Sequence, residues 1–205
     1  MEEQIFIING DVTLEGLIQR ASGNRGVVIC HPHSLMGGSM YNNVVEAVQK
    51  AFAAAEYATL RFNFRGVGRS SGDYDEGKGE QEDILAACKF LQAAGVANLF
   101  FAGYSFGAWV GSKIIAGDVN PFAVSILISP PNRYFGFEFS ELTNKIKMMI
   151  TGDGDQFADI GALKKYAKQI NAQLKIIAGV DHFYFGREKE LVNILGESLI
   201  SPKTN

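Results

Sequence analysis

The sequence predicts an α/β fold: a mostly parallel, doubly wound sheet with helices on both faces and an antiparallel hairpin at its N-terminal edge. Three observations carry that expectation. Short β-rich apolar runs alternate with longer runs of helical spacing along the whole chain. Several of the apolar runs are continuous rather than alternating, the pattern of strands buried on both sides of a parallel sheet. The 205 residues are 47% hydrophobic and 20% charged. That composition suits a single domain over 1–205, which hides roughly 70% of its unfolded surface on folding.

Each element follows from its own residues. Strand-like runs at 4–8 and 12–19 flank Asn9-Gly10-Asp11, a hairpin turn signal. The apolar run 26–30 (Gly-Val-Val-Ile-Cys) predicts a fully buried strand. Residues 42–55 have helical spacing, with Val44, Val45, Val48 and Phe52 on one side. A strand at 57–62 and a polar, glycine-rich loop at 63–79 come next. Residues 80–94 read as a helix that ends at Gly95, a C-cap residue. Then come strand 98–102, helix 105–116, strands 122–128 and 147–150, helix 158–170, strand 173–178 and helix 188–199.

Charge and cysteine content exclude several classes. Nineteen basic against 22 acidic side chains leave a net charge of −3, which argues against a nucleic-acid partner gripped through many phosphates. High apolar content with small net charge argues against disorder. Cys30 and Cys88 make no disulfide framework. The acidic start Met1-Glu2-Glu3 is unlike a signal peptide. No run nears the roughly 20 apolar residues that span a bilayer. The expectation is therefore a cytoplasmic protein with reduced thiols, no membrane partner, and a monomeric or homodimeric state.

The strongest local signal is Gly103-Tyr104-Ser105-Phe106-Gly107. It matches G-x-S-x-G, the nucleophile elbow, and it follows an apolar strand and opens a helical run, the setting that gives the pattern meaning. A serine on that sharp turn projects its hydroxyl above the sheet, beside the positive end of the following helix. The backbone N–H of Phe106 is then an oxyanion donor. The bland alternative makes Ser105 an ordinary helix N-cap.

A serine hydroxyl needs a base, and the base an orienting acid. Of three histidines, His182 follows strand 173–178, so chain order favours it as the base. Asp155, three residues past Gly152, is the expected acid, with Asp153 the second choice; one of the two is turn chemistry. Asp181 adjoins His182 and is poorly placed to orient it. The loop 31–40 after the first buried strand supplies the second oxyanion N–H, from His33, with Ser34 and Leu35 as alternatives. A metal site on His31 and His33 lacks further ligands, so neither metal nor cofactor is expected.

With these residues in place the sequence resembles the α/β-hydrolases over nearly its whole length. Gly103 to Gly107 match the elbow, and Asp155 and His182 fall where the family places acid and base. His31-Pro32-His33 stands where many members carry a His-Gly oxyanion motif, with proline for glycine. Arg65-Gly66-Val67-Gly68-Arg69-Ser70 is similar to an R-G-x-G-x-S run common after the next strand, a structural turn in which Arg65 is tied to a carboxylate or carbonyl. The nearest likeness is to small, capless bacterial hydrolases related to the dienelactone hydrolases and to non-peptidase relatives of prolyl oligopeptidase. True dienelactone hydrolases use cysteine, so Ser105 does not carry that substrate across.

The segment between 128 and 147 is too short for a helical cap domain. Its Tyr134, Phe135, Phe137 and Phe139 either line an acyl pocket or pack on the sheet edge. Met36, Tyr134, Phe157 and Phe183 are the candidate substrate contacts around a shallow, apolar site. The resemblance implies a serine hydrolase acting on a small-molecule acyl substrate, an ester or thioester. A non-catalytic binding protein on the same scaffold and a serine peptidase are the alternatives.

Overall fold

The hairpin comes first in the computed structural model, which describes residues 1–200. Strand β1 (Glu3–Asn9) pairs antiparallel with β2 (Val12–Gln19). Asn9 faces Val12, and Gly10 takes a φ of 60°, a left-handed conformation that favours glycine at this tight turn. Strand β2 then pairs antiparallel with β4 (Ala58–Phe62). From there the ladder is parallel through β3 (Arg25–Cys30), β5 (Asn98–Tyr104), β6 (Val124–Ile128), β7 (Met148–Gly152) and β8 (Gln173–Ile177). The order across the sheet is β1-β2-β4-β3-β5-β6-β7-β8.

Period-two side-chain alternation feeds two cores from one sheet. Val28, Phe101, Leu127 and Met149 enter one core, with α2 (Lys78–Ala93), α3 (Phe106–Ala116) and α4 (Ile160–Gln169). Val27, Ile29, Ile126, Ile128, Met148 and Ile150 enter the other, with α1 (Asn43–Ala54) and α5 (Glu188–Ile200). Val44, Val45, Val48 and Phe52 of α1 are fully buried there, as their spacing requires.

Several element boundaries differ from the sequence reading by one or two residues, and at two of them the physical reason is plain. Strand β5 runs on through Gly103 and Tyr104, because Gly103 pairs with Cys30 and Leu127, and Tyr104 with Ile128. Ladder pairing here overrides the weak β-propensity of glycine. Helix α2 starts two residues before Glu80, whose carboxylate folds back to accept from the N–H groups of Gly77 (2.7 Å) and Asp75 (3.0 Å). Among the described residues the only regular element between β6 and β7 is a 3₁₀ turn, Phe139–Leu142, so no cap domain is inserted there. None of the described helices is long and apolar enough to cross a membrane.

The parallel strands β3 and β5 to β8 all point their carboxyl ends at one rim. Loop 31–38, Ser105, Ser129, Asp155 and His182 follow those ends. In open α/β sheets this rim is where ligands bind.

Candidate active site

Ser105 occupies the turn between β5 and α3 with φ 54° and ψ −116°, a conformation few residues other than glycine adopt. Holding it there costs roughly 1–3 kcal/mol. The surroundings enforce it: the Ser105 N–H donates to Ile128 O at 2.9 Å, and its carbonyl accepts from Ala108 and Trp109. A Cβ on Gly103 would lie 2.7 Å from the Ala108 backbone, and one on Gly107 would lie 2.7 Å from the carbonyl oxygens of Cys30 and His31. Both glycines are therefore required by the closeness of strand, turn and helix. The Ser105 side chain makes no capping hydrogen bond. Its hydroxyl faces His182 instead, with Oγ 2.9 Å from Nε2.

The other ring nitrogen of His182 lies 2.9 and 3.0 Å from the two oxygens of Asp155. Ser105, His182 and Asp155 are all nearly buried, at 8%, 4% and 4% exposure. Asp155 also accepts from Thr151 Oγ1 at 3.1 Å and from the Phe157 N–H at 2.9 Å. Burial alone would raise the Asp155 carboxyl. The hydrogen bonds and charge of His182, with the Ser129 hydroxyl and the Phe157 N–H, outweigh burial and hold it below its ordinary value. An ionised carboxylate only accepts, so Nδ1 of His182 carries the proton, and in the neutral ring Nε2 is free to accept from Ser105.

Asp153 lies outside this row. It is exposed, and its Oδ1 accepts the Gly179 N–H at 2.7 Å, tying the ends of β7 and β8 together. Asp181 accepts from the N–H groups of Phe183 and Tyr184, which shapes the loop around His182.

Residues that sequence reasoning missed complete the setting. Tyr104 sends its hydroxyl to the His182 carbonyl at 2.7 Å. Ser129 and Tyr184 are fully buried, both at positive φ (44° and 58°), and their hydroxyls are 2.9 Å apart behind Asp155. A Ser129 proton turned toward the carboxylate leaves its oxygen to accept from Tyr184. Burial keeps the Tyr104 and Tyr184 phenols protonated well above their ordinary value, so both remain donors. Ser129 carried one signal, its position just past a parallel strand, the same rule that pointed to Ser105.

The early loop is set by its histidines. His31 is fully buried; Nδ1 lies 2.6 Å from Pro32 O and Nε2 accepts the Phe64 N–H at 3.0 Å. Both of its nitrogens serve backbone, and burial lowers its pKa to about 4. His33 caps the 3₁₀ turn Ser34–Met36 by accepting the Leu35 N–H at 3.2 Å, and its Nε2 is 3.3 Å from Tyr74 Oη. Among the described residues no group of three or more potential ligands forms a metal site. Arg65 is bound to Asp83 at 2.9 Å and to Glu82 at 3.3 Å, so it braces its loop against α2.

Ser105 and His182 open into a cleft of about 620 Å³. His33, Met36, Tyr134, Phe157 and Phe183 line it, while the Phe106 ring is fully buried beneath. The aromatic run after β6 divides. Tyr134 and Phe135 face the cleft, whereas Phe137 and Phe139 stack away from it, Phe139 on Tyr166 at 4.1 Å.

Comparison with known proteins agrees with this architecture. A family model described as the alpha/beta hydrolase family matches residues 27–162. An uncharacterized protein of Rickettsia prowazekii is 31% identical, over 98% of this chain and 90% of its own length. A structure described as an alpha-beta serine hydrolase homologue from Coxiella burnetii is 34% identical, with a TM-score of 0.87 over 96% of this chain and 97% of that one. A serine hydrolase without a lid from Xanthomonas campestris is 28% identical, with a TM-score of 0.84 over 100% and 97% of the two chains. The chain belongs to the alpha/beta hydrolase family.

Proposed function

We propose that this protein is a serine hydrolase that cleaves the acyl bond of a small carboxylester or thioester through an acyl-enzyme. The single observation that carries the reading is the unbroken hydrogen-bonded row from Ser105 Oγ through His182 to Asp155, with each link at 2.9–3.0 Å. His182 takes the Ser105 proton as Oγ attacks the carbonyl carbon. Asp155 holds the imidazole in the tautomer that leaves Nε2 free and stabilises the imidazolium. Phe106 is the first residue of α3, so its N–H has no partner within the helix. That N–H and the His33 N–H bind the oxyanion. The leaving group departs with the proton from His182, and water then attacks the acyl-Ser105 by the same base. Met36, Tyr134, Phe157 and Phe183 hold the apolar parts of the substrate.

The test is p-nitrophenyl acetate hydrolysis and fluorophosphonate labelling, comparing the native protein with Ser105→Ala. The native protein turns over and is labelled at Ser105. The variant folds, is unlabelled, and loses turnover by about 10⁴-fold or more. Equal turnover in the two proteins removes Ser105 from the reaction.

A further inference from the structure

We propose that Phe157, Phe183 and Phe185 form the subsite for the leaving alcohol, and that this subsite selects esters of uncharged aryl or long-chain alkyl alcohols. The inference rests on the serine-hydrolase reading above and specifies its substrate. During acylation the Ser105 Oγ–carbonyl bond forms and the carbonyl–alkoxy bond breaks. The proton that His182 took from Ser105 passes to the departing alkoxy oxygen, and the alcohol leaves neutral. That oxygen must therefore come within hydrogen-bond reach of His182 Nε2, about 3 Å. Whatever is bonded to it next meets the rings packed around the imidazole.

Those rings are Phe157, with its centroid 4.4 Å from that of His182, Tyr104 at 5.4 Å and Phe183 at 5.7 Å. Tyr104 is buried and its hydroxyl is committed to the His182 carbonyl. Phe157 and Phe183 remain, 6.2 Å apart and edge to face. Phe185 continues the row, nearly parallel to Phe183 at 6.0 Å. The three rings thus lead from the imidazole out to solvent, where Phe183 is 41% exposed and Phe185 75%.

This row is held in place. Asp181 accepts the N–H groups of Phe183 and Tyr184, Asn43 Nδ2 donates to the Phe183 carbonyl at 2.9 Å, and Tyr104 fixes the His182 carbonyl. A preorganised apolar surface that begins at the proton donor matches an apolar alcohol. Its charge preference follows from the lining: among the described residues no lysine, arginine, aspartate or glutamate faces the cleft. An anionic alcohol would lose hydration there without gaining a counterion.

The test uses two substrate series: acetates of alcohols from methanol to octanol with benzyl acetate, and methyl esters of acids from acetyl to octanoyl. Every acetate gives the same acetyl-Ser105, so deacylation is common to the first series and selectivity falls on kcat/KM. In the native protein kcat/KM rises with alcohol length, and 3-sulfopropyl acetate lies below propyl acetate. Phe185→Ala lowers kcat/KM for octyl acetate by about tenfold, the effect of losing one apolar contact. The octyl-to-methyl acetate ratio falls by that factor, while the ratios along the acyl series hold. Phe183→Ala lowers kcat/KM for octyl acetate more than for methyl acetate, so the test does not hang on one variant.

A flat alcohol series with Ser105 still labelled overturns the subsite and spares the hydrolase reading. So does a Phe185→Ala loss that follows acyl length. A dimer that dissociates in Phe185→Ala assigns the ring to a second copy and overturns it too. A native protein that is neither labelled nor active overturns this inference and the reading beneath it together.

Discussion

Asp153 and Asp155 are the same residue type in one short loop, and their neighbours make opposite forecasts for the same change to asparagine. Asp155 stands among donors: His182 Nδ1 reaches both oxygens, the Phe157 N–H meets Oδ1, and Thr151 Oγ1 meets Oδ2. An asparagine there puts an NH₂ group where an acceptor is required. The ring of His182 answers by moving its proton to Nε2, so that Nδ1 accepts from the amide. Nε2–H then points at Ser105 and can no longer take its proton. The expected loss in kcat is about 10⁴-fold, or about 5 kcal/mol at 1.36 kcal/mol per decade. Asp153→Asn keeps an oxygen for the Gly179 N–H, and kcat stays within about twofold. The assay is p-nitrophenyl acetate hydrolysis, with circular dichroism and thermal melting to verify that both variants fold. A folded Asp155→Asn enzyme retaining more than a hundredth of native kcat would refute the assignment. So would a folded, inactive Asp153→Asn.

Two further predictions come from buried groups near the row. Tyr184→Phe removes the hydroxyl that lies 2.9 Å from Ser129 Oγ behind Asp155. At the net worth of one hydrogen bond, about 1 kcal/mol, kcat falls roughly fivefold while KM holds; a change confined to KM would place Tyr184 outside the support of Asp155. His31 makes native stability depend on pH. Burial lowers its pKa to about 4 from 6.5, so between those values the unfolded chain binds a proton that the folded chain does not. Unfolding free energy therefore falls as pH drops from about 6.5 to about 4, by an upper bound of roughly 3 kcal/mol. Urea titrations of native protein and His31→Gln, which keeps an acceptor for the Phe64 N–H, measure the difference. The variant is less stable at pH 7 but flatter over that window, and an equal slope in both proteins would remove His31 as the cause.

What could be read from the sequence, and what could not, divides along a physical line. Close backbone approach leaves a local mark, because only glycine fits. Gly103 and Gly107 would place a Cβ 2.7 Å from neighbouring backbone, and so the turn that presents Ser105 stands out in five consecutive residues. Burial on both faces leaves a local mark as well: the unbroken apolar run in β3 is a central strand, with β4 on one side and β5 on the other. The hydrophobic period also separated helices from strands in the right order, with errors of about two residues where capping or ladder pairing decided the end.

Side-chain direction leaves no such mark. Asp153 and Asp155 both follow the Gly152 turn, and only the three-dimensional path of the loop sends Asp155 inward and Asp153 out to Gly179. The aromatic run after β6 has no period, so the division between Tyr134 and Phe135 in the cleft and Phe137 and Phe139 against Tyr166 had no local cause to read. Ser129 and Tyr184 are the extreme case. Their hydroxyls meet across 55 positions of chain, and each sits at a positive φ that its residue type disfavours. Strain at Ser105, Ser129 and Tyr184 persists because the packed surroundings over-determine it. The three residues lie on the rim that gathers the strand ends, so local preference yields to tertiary packing just where a hydroxyl must be aimed.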